Sequence, residues 1–198
     1  IDPGLIEKSI SKKTVAIMVV HMYGKSCEMD SILEIADVLS LSVIEDCAQA
    51  HGAKFKNKTV GTFGVFGAFS FYPTKNLGAL GDAGAITTDD EELFLKVKKI
   101  RNYGSDKKYH NELIGVNSRL DALQAVFLKT KLEALNDINN HKRTLAKLYF
   151  ENLNDEFIKP SLNENNYDVY HIYNVRHEKR DKLKEFLYEN NIQTEIHY

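Results

Sequence analysis

The chain has 198 residues, 43% of them hydrophobic and 27% charged, which is enough apolar material for one sizeable core and part of a second domain. A net charge of −2, from 26 Lys and Arg against 28 Asp and Glu, supplies no basic field for nucleic acid or an anionic membrane. The two cysteines, Cys27 and Cys47, form no CxxC and no cluster of zinc-ligand spacing. They suit a reducing compartment, and no apolar run reaches ~18 residues, so a cytoplasmic protein without metal is expected.

Residues 2–13 carry Pro3 near a helix start, with Leu5, Ile6 and Ile10 at helical spacing. Thr14–Val20 (TVAIMVV) is a continuous β-branched run and predicts a strand buried on both faces. Met29–Leu41 is an amphipathic helix, and Ser42–Glu45 a second buried strand that ends at Asp46. Strand, helix and strand over 14–46 make a βαβ crossover, hence a parallel sheet. Ligands of such sheets gather at the carboxyl ends of the strands, where Asp46 and His21 lie.

A small hairpin is expected next, Phe55–Lys58 with Val60–Gly61, turning at Asn57-Lys58. Gly67–Tyr72 (GAFSFY) reads as another core strand, ended by Pro73. Gly78, Gly81 and Gly84 punctuate a tight loop before a short strand at Ala85–Thr88. A helix runs from Asp89 to Arg101 with its acids at the positive end of the dipole. After a polar loop at 102–115, residues 118–153 are largely helical, with Leu120, Leu123, Val126, Phe127, Leu132 and Leu135 on one side. Val169–Val175 reads as a strand and Arg180–Asn190 as a helix, the opening of a smaller domain. The division expected is 1–135 and 136–198. The start without Met, and the stop where a strand would begin, predict a fragment of a longer protein.

Lys75 follows a buried aromatic strand and precedes a glycine-rich loop that lets backbone approach a ligand closely. A lysine in such a place is either a desolvated nucleophile or one surface lysine among many. Asp46 at a buried strand end needs a partner, which is a cap, a salt bridge or the protonated nitrogen of a pyridine ring. Ser70 has a hydroxyl suited to a phosphate, or simply packs on the sheet. Gln49 is suited to a ring oxygen, or is a polar loop residue. His21 and His51 find no third metal ligand and read as core or pocket-wall histidines.

Four ordered stretches, EDCAQAHGA (45–53), FSFYPTKNLGALGDAGAITT (69–88), RNYG (101–104) and GVNSRLDALQA (115–125), together resemble the sugar aminotransferases of the DegT/DnrJ/EryC1/StrS family. AIMVVHMYG and the closing YHIYNVRHEKRDKLKEFLYENNIQTEIHY resemble it as well. The resemblance implies an α/β three-layer sandwich with a mostly parallel sheet, the fold type I of pyridoxal-phosphate transferases, then the start of a small α+β domain. It implies pyridoxal 5'-phosphate as cofactor. Lys75 would form the Schiff base and shuttle a proton, Asp46 would hold the pyridine nitrogen, Gln49 the ring oxygen and Ser70 the phosphate. Asn117 would reach the neighbouring subunit's cofactor in a homodimer with shared sites. His21, His51, Tyr103 and Arg119 are candidate substrate contacts, Arg119 toward a diphosphate or as an exposed helix-start residue. Tyr103 stands where many relatives have histidine, and Val19 where proline is common. The family's preceding segment, with further phosphate and ring contacts, is expected to lie outside this chain.

The implied reaction moves an amino group from L-glutamate to a nucleotide-linked keto sugar. A thymidine-diphosphate 3-keto-6-deoxyhexose is favoured, in the making of deoxyamino sugars for lipopolysaccharide or other surface glycans. One rival is a dehydratase of the same family, in which histidine replaces the lysine; Lys75 speaks against it. The other is a non-catalytic truncated relative acting as a regulatory or assembly partner.

Overall fold

A computed structural model describes residues 1–198. A 3-10 turn at Pro3–Leu5, capped by the Asp2 carboxylate on Gly4 N, leads into α1 (Ile6–Ser9), shorter than the helix expected over 2–13. β1 (Ala16–Val20), α2 (Met29–Val38) and β2 (Ser42–Asp46) then form the predicted crossover. β3 (Lys54–Phe55) and β4 (Lys58–Thr59) make the small hairpin. Its turn lies at Lys56 and Asn57, with φ of 45° and 66°, one residue earlier than expected. β5 (Phe66–Ser70), β6 (Gly84–Thr87) and α3 (Glu91–Ile100) follow. Asp90 caps α3, its Oδ1 accepting from Leu93 N at 2.9 Å.

The main sheet has the order β1-β2-β5-β6, with the first two pairings parallel and β5–β6 antiparallel. This is the α/β architecture with a mixed, mostly parallel sheet. Its register sets Val20 beside Asp46, and Asp46 beside Ala68. Three parallel strands therefore end together and bring Asp46 and Ser70 to one edge.

One face of the sheet is covered. Ile17, Val19 and Val43 pack with Met29, Ile32 and Ala36 of α2 and with Ile6 and Phe55. Full burial of a Val or Ile stabilises by about 1.5–3 kcal/mol, so this cluster dominates the energetics of the crossover. The two-sided burial expected of 14–20 is not found. Burial along β1 alternates, and Met18 is 62% exposed because no element of this chain lies over that face.

The polar loop at 102–115 contains a further hairpin, β7 (Ser105–Lys107) with β8 (His110–Asn111). The long helical stretch is two helices, α4 (Ala122–Glu133) and α5 (Leu135–Asn152), meeting at Ala134. The apolar side expected for it is corrected. Leu120, Leu123, Val126, Phe127 and Leu132 are exposed, and the buried stripe runs through Leu128 and Leu135, which meet Leu77 and Ala79. The strand expected at Val169–Val175 is also corrected. The strand is β9 (Asn166–Tyr167), antiparallel to β3. Val169 cannot join a ladder, because its N–H donates to Gly24 O and its carbonyl accepts from the Asn76 side chain. Its side chain is fully buried with Cys47, Ala50, Ala53 and Val60. α6 (Arg180–Glu189) closes the set. No helix is long and apolar enough to cross a membrane.

Candidate active site

At the common carboxyl edge of β2 and β5 lies a cleft of about 290 Å³ lined by Met18, Ile44, Asp46, Ala48, Ala68 and Ser70 among others. These side chains share a face because strand residues two apart point the same way. Asp46 Oδ1 accepts from Ala48 N at 2.9 Å and so closes the turn after β2. Its backbone carbonyl takes the N–H of His21 at 3.0 Å. Ser70 Oγ accepts from Tyr72 N at 3.3 Å, which leaves its own proton to donate. A larger cavity of about 620 Å³, lined by Leu33, Asp37, Val43, Val65 and Asp90 among others, sits at the opposite strand ends and holds none of the candidate residues.

The residue before Asp46 ties this edge to His21 and to the 61–64 turn. Glu45 is fully buried. Its carboxylate accepts from His21 Nε2 at 3.0 Å and from the backbone N–H groups of Gly61, Phe63 and Gly64 at 2.6, 2.7 and 2.8 Å. Burial alone would raise its pKa, but these four donors outweigh burial and hold the carboxyl below its usual range. Cys27 N donates to His21 Nδ1 at 3.1 Å, so Nε2 carries the proton that Glu45 receives. His21 is therefore removed as a substrate contact: it is fully buried and both ring nitrogens are engaged. Cys47 lies close enough to this pair for the three to resemble a metal cluster, yet the lone pairs of Glu45 and His21 are already committed. Sequence reasoning missed Glu45; a second acid directly before Asp46, at the end of the apolar run SVI, was the available signal.

Gln49 is held at both ends of its amide. Oε1 accepts from Tyr23 N at 2.6 Å, and Nε2 donates to the Tyr198 hydroxyl at 3.0 Å. Tyr23 takes a left-handed φ of 59° to make that bond, and its ring stacks on Tyr198 at 6.3 Å.

Lys75 is half-buried on the loop after β5, and its ammonium joins none of the six ion pairs of the chain. Its backbone N–H donates to Tyr72 O at 2.9 Å. His51 is buried between the rings of Phe69 and Phe71, each at 5.7 Å, and neither of its ring nitrogens has a partner. Burial pushes its pKa down to about 4; a contact with the Ser70 backbone that falls short of hydrogen-bond geometry opposes this, and the charge of Lys75 adds to it. His171, with Nδ1 unpartnered, is likewise pushed to about 4 by burial and then by Lys75 and Lys142. Lys75 thus stands among neutral imidazoles and cations, an environment suited to an anionic ligand.

Asn117, Arg119 and Tyr103 form a separate, exposed group with Asn102. Arg119 Nε donates to Asn117 Oδ1 at 3.1 Å, and its guanidinium lies 5.4 Å from the Tyr103 ring centre. Asn102 and Asn117 pair as an isolated antiparallel bridge. The contacts that knit this group do not include Asp46, Ser70 or Lys75.

The donor set fits pyridoxal phosphate. Asp46 keeps one carboxylate oxygen without a partner in the chain, Ser70 keeps a hydroxyl proton, and both line a cleft near the ~300 Å³ lower size of small-ligand sites. The following loop adds an amine without an ion pair.

Among similar proteins, a dTDP-3-amino-3,6-dideoxy-alpha-D-galactopyranose transaminase of Aneurinibacillus thermoaerophilus is 53% identical over 199 residues, covering 100% of this chain and 55% of that protein. The crystal structure of DesV from S. venezuelae, in complex with a ketimine intermediate, superposes with a TM-score of 0.96 at 42% identity, over 100% of this chain and 54% of DesV. NtdA from Bacillus subtilis, with bound cofactor PMP, gives a TM-score of 0.86 at 35% identity, over 100% of this chain and 47% of NtdA. The chain spans about half the length of the relatives it matches. The family match itself runs over residues 1–198, so sequence, sheet order and donor set agree, and the chain belongs to the DegT/DnrJ/EryC1/StrS aminotransferase family.

Proposed function

We propose that this chain carries the cofactor-binding part of a pyridoxal-phosphate-dependent aminotransferase that moves an amino group from L-glutamate to a nucleotide-linked keto sugar. The supporting observation is the meeting of Asp46 and Ser70 on one cleft, with Lys75 on the loop that leaves the same strand edge. Bound pyridoxal 5'-phosphate supplies the electron sink that makes the amino-acid Cα–H acidic. Asp46, through its unpartnered oxygen, keeps the ring nitrogen protonated. Ser70 donates to the phosphate. Gln49 turns its amide N–H from Tyr198 toward the ring oxygen. Lys75 holds the cofactor covalently, and its freed amine then takes and returns the substrate proton as general base and acid.

The sugar is read as a dTDP-3-keto-6-deoxyhexose, a reading that the name of the Aneurinibacillus relative supports, and its product as a deoxyamino sugar for a surface glycan such as lipopolysaccharide. His51, Tyr103 and Arg119 are carried as its contacts. A cytoplasmic homodimer is the assembly proposed. The exposed Leu123, Val126 and Phe127 of α4 offer an apolar face for a second copy, and Asn117, apart from Lys75, suits a residue that serves the neighbouring site. Residues 1–135 are assigned to the large domain, and 136–198 to the linking helix and the start of the small one.

The test adds pyridoxal phosphate to the chain, reduces it with borohydride and maps the labelled peptide. Label on Lys75 is expected. A folded chain labelled only elsewhere, or not at all, refutes the assignment. In the full-length parent, Lys75→Ala is expected to abolish glutamate-driven turnover.

A further inference from the structure

The loop that follows Lys75 lies along α4 and α5 in a repeating pattern. Asn76 Nδ2 donates to Asn139 Oδ1 at 2.9 Å and to Val169 O at 3.0 Å. Lys131 Nζ donates to Gly78 O at 2.6 Å. Leu80 N donates to Gln124 Oε1 at 2.8 Å. Between these polar contacts, Leu77 and Ala79 are buried against Leu128 and Leu135. Residues 124, 128, 131, 135 and 139 follow one another at three or four, so they form a single stripe across both helices. Loop residues 76–80 run antiparallel to that stripe, polar and apolar contacts alternating.

We propose that Gln124, Lys131 and Asn139 are positioning residues for Lys75, setting the register of 76–80 on the helices and thereby the place of the Lys75 backbone. The reasoning is mechanical. The Lys75 side chain makes no ion pair, so its location follows from its backbone. That backbone is tied upstream through Lys75 N to Tyr72 O, and downstream through Ala79 N to Phe71 O at 2.7 Å. A slip of one residue along the stripe would put Leu77 against Asn139 or Gly78 against Leu135, leaving buried amides unpaired. Asn139 and Asn76 are 1% and 4% exposed, so no water replaces the lost partners at low cost. Asn139 Nδ2 also donates to His51 O at 2.9 Å, so one side chain joins the Lys75 loop to the turn after β2.

This inference rests on reading Lys75 as the cofactor lysine, but its test needs no cofactor. The chain receives a limiting pulse of acetic anhydride over roughly pH 7 to 10, below the melting temperature of each variant, and the acetylated fraction of every lysine is read by mass spectrometry. In Lys131→Met and in Asn139→Ala, the reactivity of Lys75 relative to the exposed Lys8 and Lys147 is expected to shift about fivefold, the equivalent of one net hydrogen bond. Lys131→Arg keeps a donor for Gly78 O and is expected to stay near the parent. Unchanged Lys75 reactivity in the folded variants, or an Arg variant that behaves as the Met variant does, overturns the proposal. Should Asn139→Ala not fold, Lys131→Met and Gln124→Leu, both at partly buried positions, decide it. Failure of pyridoxal phosphate to label Lys75 in the parent removes the cofactor reading alone, because acetylation still judges the positioning.

Discussion

Acid is expected to unfold this chain in a way that His51 controls. Its imidazole is 2% exposed, lies between Phe69 and Phe71, and has no hydrogen-bond partner at either nitrogen. Its pKa is about 4 in the folded chain against an ordinary 6.5. Between those values the unfolded chain binds the proton and the folded chain does not. Stability is therefore full above about pH 6.5 and lost as the pH falls toward 4. At about 1.4 kcal/mol per unit, the loss attributable to His51 approaches ~3 kcal/mol below pH 4 and is about 2 kcal/mol at pH 5. The comparison is with His51→Leu, which has similar volume and no proton to bind. Urea unfolding at about pH 7.5 and about pH 5 gives the two free energies for each protein. The parent is expected to lose ~2 kcal/mol more than the variant on acidification. His171, shifted the same way chiefly by burial and Lys75, titrates in both proteins, so only the smaller part of its shift that comes from His51 enters the difference. Parallel pH dependences for parent and variant would refute the burial argument.

Three further outcomes are expected. Asp168 is 5% exposed, and burial raises its pKa from 3.8 to about 6 despite Lys25 and Arg143; its contribution is best below about pH 4 and is lost as pH rises through 6, so Asp168→Asn should raise stability at pH 7.5 by roughly 2–3 kcal/mol in thermal or urea melts. Glu45→Gln places an amide N–H against donors that now meet carboxylate oxygens, and should cost about 3 kcal/mol or more, measured by urea unfolding at neutral pH. A Cβ at Gly78 would clash with the Pro73 carbonyl oxygen, so Gly78→Ala should displace the Lys75 loop and lower borohydride-trapped pyridoxal on Lys75, read by peptide mapping against the parent.

Much of the frame was legible because its signals are local. The β-branched run before His21, the amphipathic stretch after Met29 and the acid-led helix at Glu91 appear within one to three residues of their expected places. Asp46 at a strand end follows from the crossover alone. The misplacements have a common physical cause. Residues 118–135 carry apolar side chains on more than one side of a helix, and periodicity does not say which side meets the loop after Lys75. Val169–Val175 has strand-like residues, but the backbone of Val169 is claimed by Gly24 and Asn76, far away in sequence. His21, a candidate substrate contact at a strand end, instead has its ring nitrogens bonded to Cys27 and Glu45, as its alternative reading as a core histidine requires.

By itself the sequence determined the order of strands and helices from β1 to α3, the strand-end carboxylate, and Lys75 on a glycine-punctuated loop. These are consequences of periodicity, chain stiffness and motif order, all carried by neighbouring residues. Only the tertiary structure decided that Glu45 and His21 are a closed internal pair, that His51 is left without partners beside Lys75, and that the loop after Lys75 is registered on Gln124, Lys131 and Asn139. Those facts depend on hydrogen-bond partners between 16 and 93 residues apart, and local preference does not encode which distant donor finds which acceptor.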